Sequence, residues 1–324
     1  MKAIVQDRYG SPEVLGLTEV DMPVAGDSEV LVRVHAASLN ARDWHVMRGD
    51  PYLARLSFGV GRPRTRIRGT DFAGRVEAVG RNVERFRPGD EVFGEAEGAF
   101  AEYVCASEEA VAAKPGGWTF EQAAAVPLAG NTALMGLRDL AGLQPGQHVL
   151  INGASGGVGT FAVQMATSIG AEVTAVCSAR NADLVRSIGA DHVIDYARED
   201  FARGGHRYDV VLDLVGNRSS ADLRRALTPT GVLVLSGGGV FEGGSLLGPM
   251  GLLLKGRLVS HFVRQRVVVL TATPNSRNLV ALGVLGESGE LTPCVDRTCS
   301  LSEVPQAVRY LEVEHARAKV VVTM

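Results

Sequence analysis

Between residues 148 and 159 a short apolar run, His148-Val149-Leu150-Ile151-Asn152, breaks into Gly153-Ala154-Ser155-Gly156-Gly157-Val158-Gly159. A helical pattern follows from Thr160. Four glycines within seven positions, directly behind an apolar run, leave few architectures open. Strand, tight turn and helix start together aim backbone N–H groups and a positive helix end at a pyrophosphate. The spacing is Gly153-x-x-Gly156-Gly157-x-Gly159 rather than the plain G-x-G-x-x-G. Each glycine removes a Cβ where the chain must turn, approach a phosphate, or let helix and strand pack closely. Glycine-rich turns that bind nothing are common, so the flanking context carries the weight.

That context alternates strand and helix from about 145 to 237. Strands are expected at 149–152, 172–177, 192–195, 208–214 and 231–235, with helices at 160–169, 181–188 and 218–227. Near-continuous β-branched strands separated by helices predict a parallel sheet covered on both faces, a doubly wound dinucleotide-binding domain. Residues before about 120 read differently. Short strands at 2–6, 29–35, 71–79, 91–93 and 101–105, punctuated by Gly, Pro and Asp, predict a mainly β domain with few helices. A helical run at 301–314 and a strand at 319–323 close the chain, and either finish the parallel domain or return to the β domain.

The bulk properties exclude several classes. A chain of 324 residues suggests two domains, and 46% apolar residues can fill their cores. A net charge of -3 predicts no broad attraction to nucleic acid or to an anionic membrane. The opening residues alternate like a strand and lack the apolar stretch of a leader, and the greasiest later stretch, 246–254, is too short to span a bilayer. A cytoplasmic location is expected. Cys105, Cys177, Cys294 and Cys299 are dispersed without C-x-x-C spacing, so buried free thiols are expected.

The end of the second expected strand bears on the cofactor. An acidic residue there binds ribose hydroxyls and selects NAD, but here the chain reads Cys177-Ser178-Ala179-Arg180-Asn181, with no carboxylate. A hydroxyl and a guanidinium stand where a 2′-phosphate would lie, which favours NADPH over NADH. Tyr196, just beyond the third strand, is a second candidate for that end. Val215, Ser236 and Gly237 sit at the carboxyl ends of later strands, where ligands of such sheets bind.

Several further motifs carry a resemblance that runs essentially end to end. They are Gly69-Thr70-Asp71-Phe72-Ala73-Gly74, Arg87-Pro88-Gly89-Asp90-Glu91-Val92, the run Ala123-Ala124-Ala125-Val126-Pro127-Leu128-Ala129-Gly130-Asn131-Thr132-Ala133, and the ending His315-Ala316-Arg317-Ala318-Lys319-Val320-Val321. With the glycine turn they make the chain resemble the medium-chain dehydrogenase/reductase superfamily, in its zinc-free quinone-oxidoreductase-like (zeta-crystallin-like) branch. The resemblance implies an α/β chain with a GroES-like mainly-β catalytic domain over 1–122 and 266–324, and a Rossmann NAD(P)-binding domain over 123–265. It also implies a homodimer acting on a small molecule.

The metal question can be put to named positions. Zinc alcohol dehydrogenases of the superfamily carry a Cys near the place of Asn40 and a His-Glu pair at the places of Thr70 and Asp71. They also carry a structural-zinc lobe, for which this chain has no cysteine cluster between residues 90 and 115. Catalytic zinc needs about three ligands of Cys, His or carboxylate type, and this set does not supply them. No metal is expected, which favours reduction of a quinone or an α,β-unsaturated carbonyl over alcohol oxidation.

The resemblance also places site residues. Asn40 matches an asparagine near the reacting centre and is either a donor to a substrate oxygen or a turn former. Asp43 either orders that loop or takes part in acid chemistry. Tyr52 lies about one position from a proton-donating tyrosine of related enoyl reductases, and His45 is a further acid or a solvated residue. Thr132 matches a nicotinamide contact, its alternative being a helix N-cap. Lys319 follows Ala318, which replaces the glycine usual in the family, a change expected to alter how the lysine approaches the cofactor. The apolar segment 241–257 reads as core, lid or oligomer contact. Two alternatives stay open: a metal-free alcohol or ketone oxidoreductase using Tyr52 or His45, and a non-catalytic NADPH-binding sensor or scaffold.

Overall fold

The computed structural model describes residues 1–236, 244–248, 251, 263–314 and 316–324. The chain divides into two compact units, Met1–Asn131 with Thr273–Met324, and Thr132–Ala272. The first unit contains β1 (Lys2–Gln6), β2 (Leu15–Glu19), β3 (Glu29–Ser38), β4 (Asp71–Val79), β5 (Glu91–Glu95), β6 (Tyr103–Ser107) and β7 (Val111–Ala113). The second contributes β8 (His148–Asn152), β9 (Glu172–Cys177), β10 (His192–Asp195), β11 (Tyr208–Asp213), β12 (Leu227–Leu235) and β13 (Arg266–Val269). The chain then re-enters the first unit with β14 (Val295–Ser300) and β15 (Lys319–Thr323).

Within the first unit, β1 and β2 pair as an antiparallel ribbon, and the main sheet runs β14-β15-β3-β4-β5-β7 with β6 on β3. Phe72, Phe93 and Phe100 are fully buried in it. Both crossings between units fall later than the expected 122 and 265. The Phe120–Ala124 helix packs on β3, β4, β5 and β15 and so stays with the β unit. β13 pairs with β12 and so finishes the parallel sheet. The chain leaves this unit at Asn131 and returns at Thr273, and the buried Asn131 amide ties the two points by donating to the Thr273 carbonyl at 2.8 Å. Helices are more prominent here than the sequence suggested. Ala41–Arg48, Ser276–Glu287 and Val304–Val313 all belong to this unit, and the Arg48–Glu312 ion pair, 2.5 Å, joins the first of them to the last.

Within the second unit, the described strands form a parallel sheet in the order β10-β9-β8-β11-β12-β13. Order reverses between β8 and β11, so the carboxyl end of β8 lies at the switch point of a doubly wound sheet. Leu150, Val211, Leu223, Leu233 and Leu235 fill its core. The helix expected over 218–227 is the shorter Ser220–Arg225, because Leu227 already opens β12. Gly237 and most of the 241–257 segment lie outside the described residues. Of the four free cysteines only Cys177 is buried; Cys105, Cys294 and Cys299 are half-buried, which corrects the expectation of four buried thiols. No helix among the described residues is long and apolar enough to cross a membrane.

Candidate functional site

The glycine turn of the second unit is built by close approach of backbone. Gly153 has φ +89°, a left-handed conformation that favours glycine, and an added Cβ there would lie 2.8 Å from Val215. At Gly159 an added Cβ would lie 2.2 Å from the Gly153 carbonyl oxygen and 2.6 Å from that of Ala154, so the helix start presses on the turn itself. Gly156 caps the Gly157–Ile169 helix in extended conformation, and its N–H closes the turn on the Gly153 carbonyl at 3.1 Å. First-turn N–H groups such as those of Val158 and Gly159 have no acceptor within the helix. This cradle of glycines at a helix N-terminus fits a dinucleotide pyrophosphate.

The walls around the turn are tied to it. Asn152 Nδ2, at the end of β8, donates to Asp213 Oδ1 at 2.8 Å, and that oxygen also accepts from the Val215 and Gly216 backbones. Burial pushes the Asp213 carboxyl up, against the donors that hold its charged form. The clamp of Asp213 on the strand before the turn emerges from the fold. Ser155 Oγ accepts from Asn181 Nδ2 at 2.9 Å, which ties the turn to the loop after β9. Buried Ala154 hangs from the Val176 carbonyl by its N–H. Ser178 and Arg180 follow β9, Tyr196 follows β10, and the Tyr196 N–H donates to the Cys177 carbonyl. Those three residues, gathered from two separate stretches, stand together at adjacent strand ends. Ser236 continues the same edge, its N–H on the Asp213 carbonyl at 3.0 Å.

The first unit holds a buried charged row instead. Sheet register sets Val321 of β15 opposite Ser38 of β3, Ser38 opposite Asp71 of β4, and Asp71 opposite Glu95 of β5. Two residues back along β15, the same antiparallel register brings Lys319 against Asn40. The Lys319 ammonium donates to the Leu39 carbonyl at 2.9 Å and to Asn40 Oδ1 at 2.5 Å, and lies 3.7 Å from Asp71 Oδ2. Asp71 Oδ2 also accepts from the Leu128 N–H at 3.3 Å and from Ser38 Oγ at 3.4 Å. Lys319, Asp71, Glu95 and Asn40 are 2%, 0%, 3% and 7% exposed, so the row is nearly dry.

Dryness governs its titration. Burial pushes the Asp43 carboxyl up to about 6, with the neighbouring Asp71 charge adding to it and the Asn40 N–H opposing. Burial and the Asp71 charge push Glu95 up to about 8. Asp71 is raised by burial too, though the Lys319 ammonium pulls it back. Lys319 is lowered by burial against the attraction of Asp71 and Asp43. Two carboxyls directly opposite on neighbouring strands repel when both are charged, so Glu95 keeps its proton while Asp71 pairs with the lysine.

The residues proposed from sequence therefore separate. Asn40, Asp43 and Lys319 come together with Thr70 and Asp71. Asp43 Oδ2 accepts from the Asn40 backbone N–H at 2.7 Å, so Asp43 orders the start of the Ala41–Arg48 helix. The Lys319 ammonium, marked from sequence as a cofactor contact, is enclosed in this cluster by acceptors of its own unit. Tyr52 lies in a 3-10 turn, 48% exposed, with the Arg55 guanidinium 4.7 Å from its ring centre. His45 Nδ1 is 2.8 Å from the Asp50 carbonyl, and its ring stacks on Trp44. Thr132 lies inside the Pro127–Leu134 helix, which removes the N-cap alternative. Glu95 and Arg42 were missed; the guanidinium of Arg42 donates to Thr70 Oγ1 at 3.3 Å and to Glu97 at 2.5 Å. Alternation in the strand at 91–95 was the only available signal for Glu95.

The positions that hold zinc in alcohol dehydrogenases do not fit that metal here. They offer an amide, a hydroxyl and one carboxylate, with an ammonium seated against them. Among the described residues no group of three or more His, Cys, Asp or Glu side chains is placed to hold a metal ion.

A parallel sheet in this order, with a glycine cradle at its switch point and a GroES-like β unit beside it in the chain, defines a two-unit dinucleotide-binding oxidoreductase architecture. Residues 26–116 match the alcohol dehydrogenase GroES-like domain, and residues 188–322 match a domain described as zinc-binding dehydrogenase. The chain is similar to chloroplastic quinone-oxidoreductase QR1 of Triphysaria versicolor, 33% identical over 341 residues, covering 99% of this chain and 98% of the relative. It is 34% identical to 2-methylene-furan-3-one reductase of Solanum lycopersicum over 337 residues, covering 99% of this chain and 79% of the relative. The quinone oxidoreductase of Escherichia coli, solved in complex with NADPH, superposes with a TM-score of 0.86 at 26% identity, covering 100% of both chains. The chain belongs to the quinone-oxidoreductase-like branch of the medium-chain dehydrogenase/reductase superfamily and is an oxidoreductase.

Proposed function

We propose that this protein is a zinc-independent, NADPH-dependent reductase of quinones or α,β-unsaturated carbonyl compounds, working as a homodimer. The observation that carries the metal-free reading is Lys319, whose ammonium lies against Asn40 and Asp71 where zinc dehydrogenases of the superfamily hold their metal. A buried ammonium and a cation do not share one set of acceptors. NADPH is supported by the glycine cradle and by Ser178, Arg180 and Tyr196 at adjacent strand ends, with no carboxylate among them.

Bound NADPH supplies the hydride. Residues of the chain have two tasks. Asn40 donates its amide N–H to the substrate carbonyl oxygen, which gains negative charge as the β-carbon is reduced. The Tyr52 hydroxyl gives a proton to the α-carbon and is reprotonated from solvent, to which it is open. Asp43 holds the Asn40 backbone while this happens. The homodimer reading draws on family resemblance and on β13, which ends the described parallel sheet and is an edge of the kind a second copy pairs with.

The decisive assay follows NADPH and NADH oxidation by metal-analysed protein against quinones, enals and enones. Turnover by zinc-free protein is expected, and a requirement for stoichiometric zinc would sink the metal-free reading. Retention of NADPH without turnover across the panel would favour a sensor or scaffold. Arg180→Ala is expected to raise KM for NADPH about 10-fold or more, in keeping with the loss of one charged hydrogen bond, while sparing NADH. An equal effect on both cofactors defeats the 2′-phosphate assignment.

A further inference from the structure

We propose that Lys319 is a positioning residue: its ammonium fixes which end of the Asn40 amide is presented for hydrogen bonding. The inference rests on the reading of Asn40 as a donor to the substrate oxygen, and deepens it. An amide side chain has an accepting end and a donating end, and substrate reduction needs the donating one. Lysine carries three N–H groups and no acceptor. Only the amide oxygen can face it; turning Asn40 over would set NH2 against NH3+. With Nζ 2.5 Å from Oδ1, the orientation is set by chemistry as well as by packing.

Three further observations support the assignment. Lys319 is itself enclosed, 2% exposed, between the Leu39 carbonyl and Asp71. Its backbone is held as well, its N–H donating to the Cys294 carbonyl at 3.1 Å. The other end of the amide, Nδ2, is fully buried and has no hydrogen-bond partner. The Asp71 carboxylate is near enough for the amide to favour its charged form by hydrogen bonding, and its Oδ1 is likewise buried without a partner within 3.5 Å. A buried donor without an acceptor costs free energy, and an arriving carbonyl oxygen would remove that cost. The ammonium also draws charge from Oδ1, which makes the opposite N–H the stronger donor. Lys319 thus supplies a fixed positive charge behind the donor, in the region where zinc relatives place a metal.

The test uses the full-length protein and separates the two roles. Asn40→Ala removes the donor. Lys319→Met removes the ammonium, and Lys319→Met with Asp71→Asn removes the pair together so that no buried charge is left alone. The expected result is a kcat for NADPH-dependent quinone reduction lowered about 10-fold or more in all three, with KM for NADPH within about 2-fold. Adding Lys319→Met and Asp71→Asn to Asn40→Ala should lower kcat no further. In cofactor-free protein, the Asn40 side-chain NH2 resonances, assigned by their loss in Asn40→Ala, should shift in the lysine variants. A fall in Asn40→Ala with wild-type kcat in the folded double variant overturns the role of Lys319 and leaves the donor reading standing. Wild-type kcat in Asn40→Ala overturns both. A raised KM for NADPH with unchanged kcat would make Lys319 a cofactor contact and overturn the proposal.

Discussion

The glycine turn of the parallel unit and the charged row of the β unit are built on opposite terms. The turn depends on backbone: what matters at Gly153 and Gly159 is the absence of a side chain, and the forces are steric and local. The row depends on side chains from β3, β4, β5 and β15, held where water is excluded and charge must balance. One region fails by crowding and the other by an uncompensated charge. Substitutions that leave one kind of constraint intact while removing the other therefore separate them.

The largest effect is expected in the row. Asp71→Ala strands the Lys319 ammonium in a dry site and should destabilise the protein by about 3–5 kcal/mol, the cost of breaking a buried ion pair. Lys319→Met combined with Asp71→Asn should recover much of that loss in chemical denaturation. If the double variant is no better than Asp71→Ala, charge balance is not what governs this region. In the turn, Gly159→Ala adds a methyl group against two carbonyl oxygens and should cost roughly 1–3 kcal/mol, the range for overpacking. It should also weaken NADPH binding, measured by fluorescence titration, whereas Asp71→Asn should leave that binding unchanged.

A smaller effect concerns pH. With Glu95 up at about 8 in the folded chain against an ordinary 4.5, the native state keeps a proton that the unfolded chain has lost. The stability from this group is complete below about pH 4.5 and is lost as pH rises through about 8. Asp43, raised to about 6, acts in the same direction at lower pH. Glu95→Gln should flatten the decline between about pH 5 and 8 in denaturant midpoints; an unchanged slope would mean that Glu95 is ionised at neutral pH. The smallest effect is expected beside the lysine. Ala318 has φ +49°, a left-handed conformation costing a residue with a Cβ about 1–2 kcal/mol. Ala318→Gly should raise stability by up to about 1 kcal/mol, after the greater freedom of glycine in the unfolded chain is subtracted. A lower melting temperature would show that the Cβ makes a contact worth more than the strain.

Ala318 shows how sequence and structure divide the explanation. The departure from the family glycine is visible in the chain, but only the backbone angle gives its consequence. Thr132 divides likewise: its motif marked it, while the helix that begins at Pro127 excluded the capping role. At the 218–227 run, Leu227 fitted a helical spacing as well as it fits the first position of β12, and strand pairing decided.

The doubly wound sheet and the turn at its centre were legible in the chain before any packing was known. Those features follow from local rules: apolar periodicity, the missing Cβ, and the direction of a strand entering a helix. The buried row was decided by tertiary structure alone. Asn40, Asp71, Glu95 and Lys319 are spread over 280 residues, and nothing in their own segments says that sheet register will set them side by side. The same holds for their charges, since a carboxyl shows ordinary acidity until neighbouring strands take the water away.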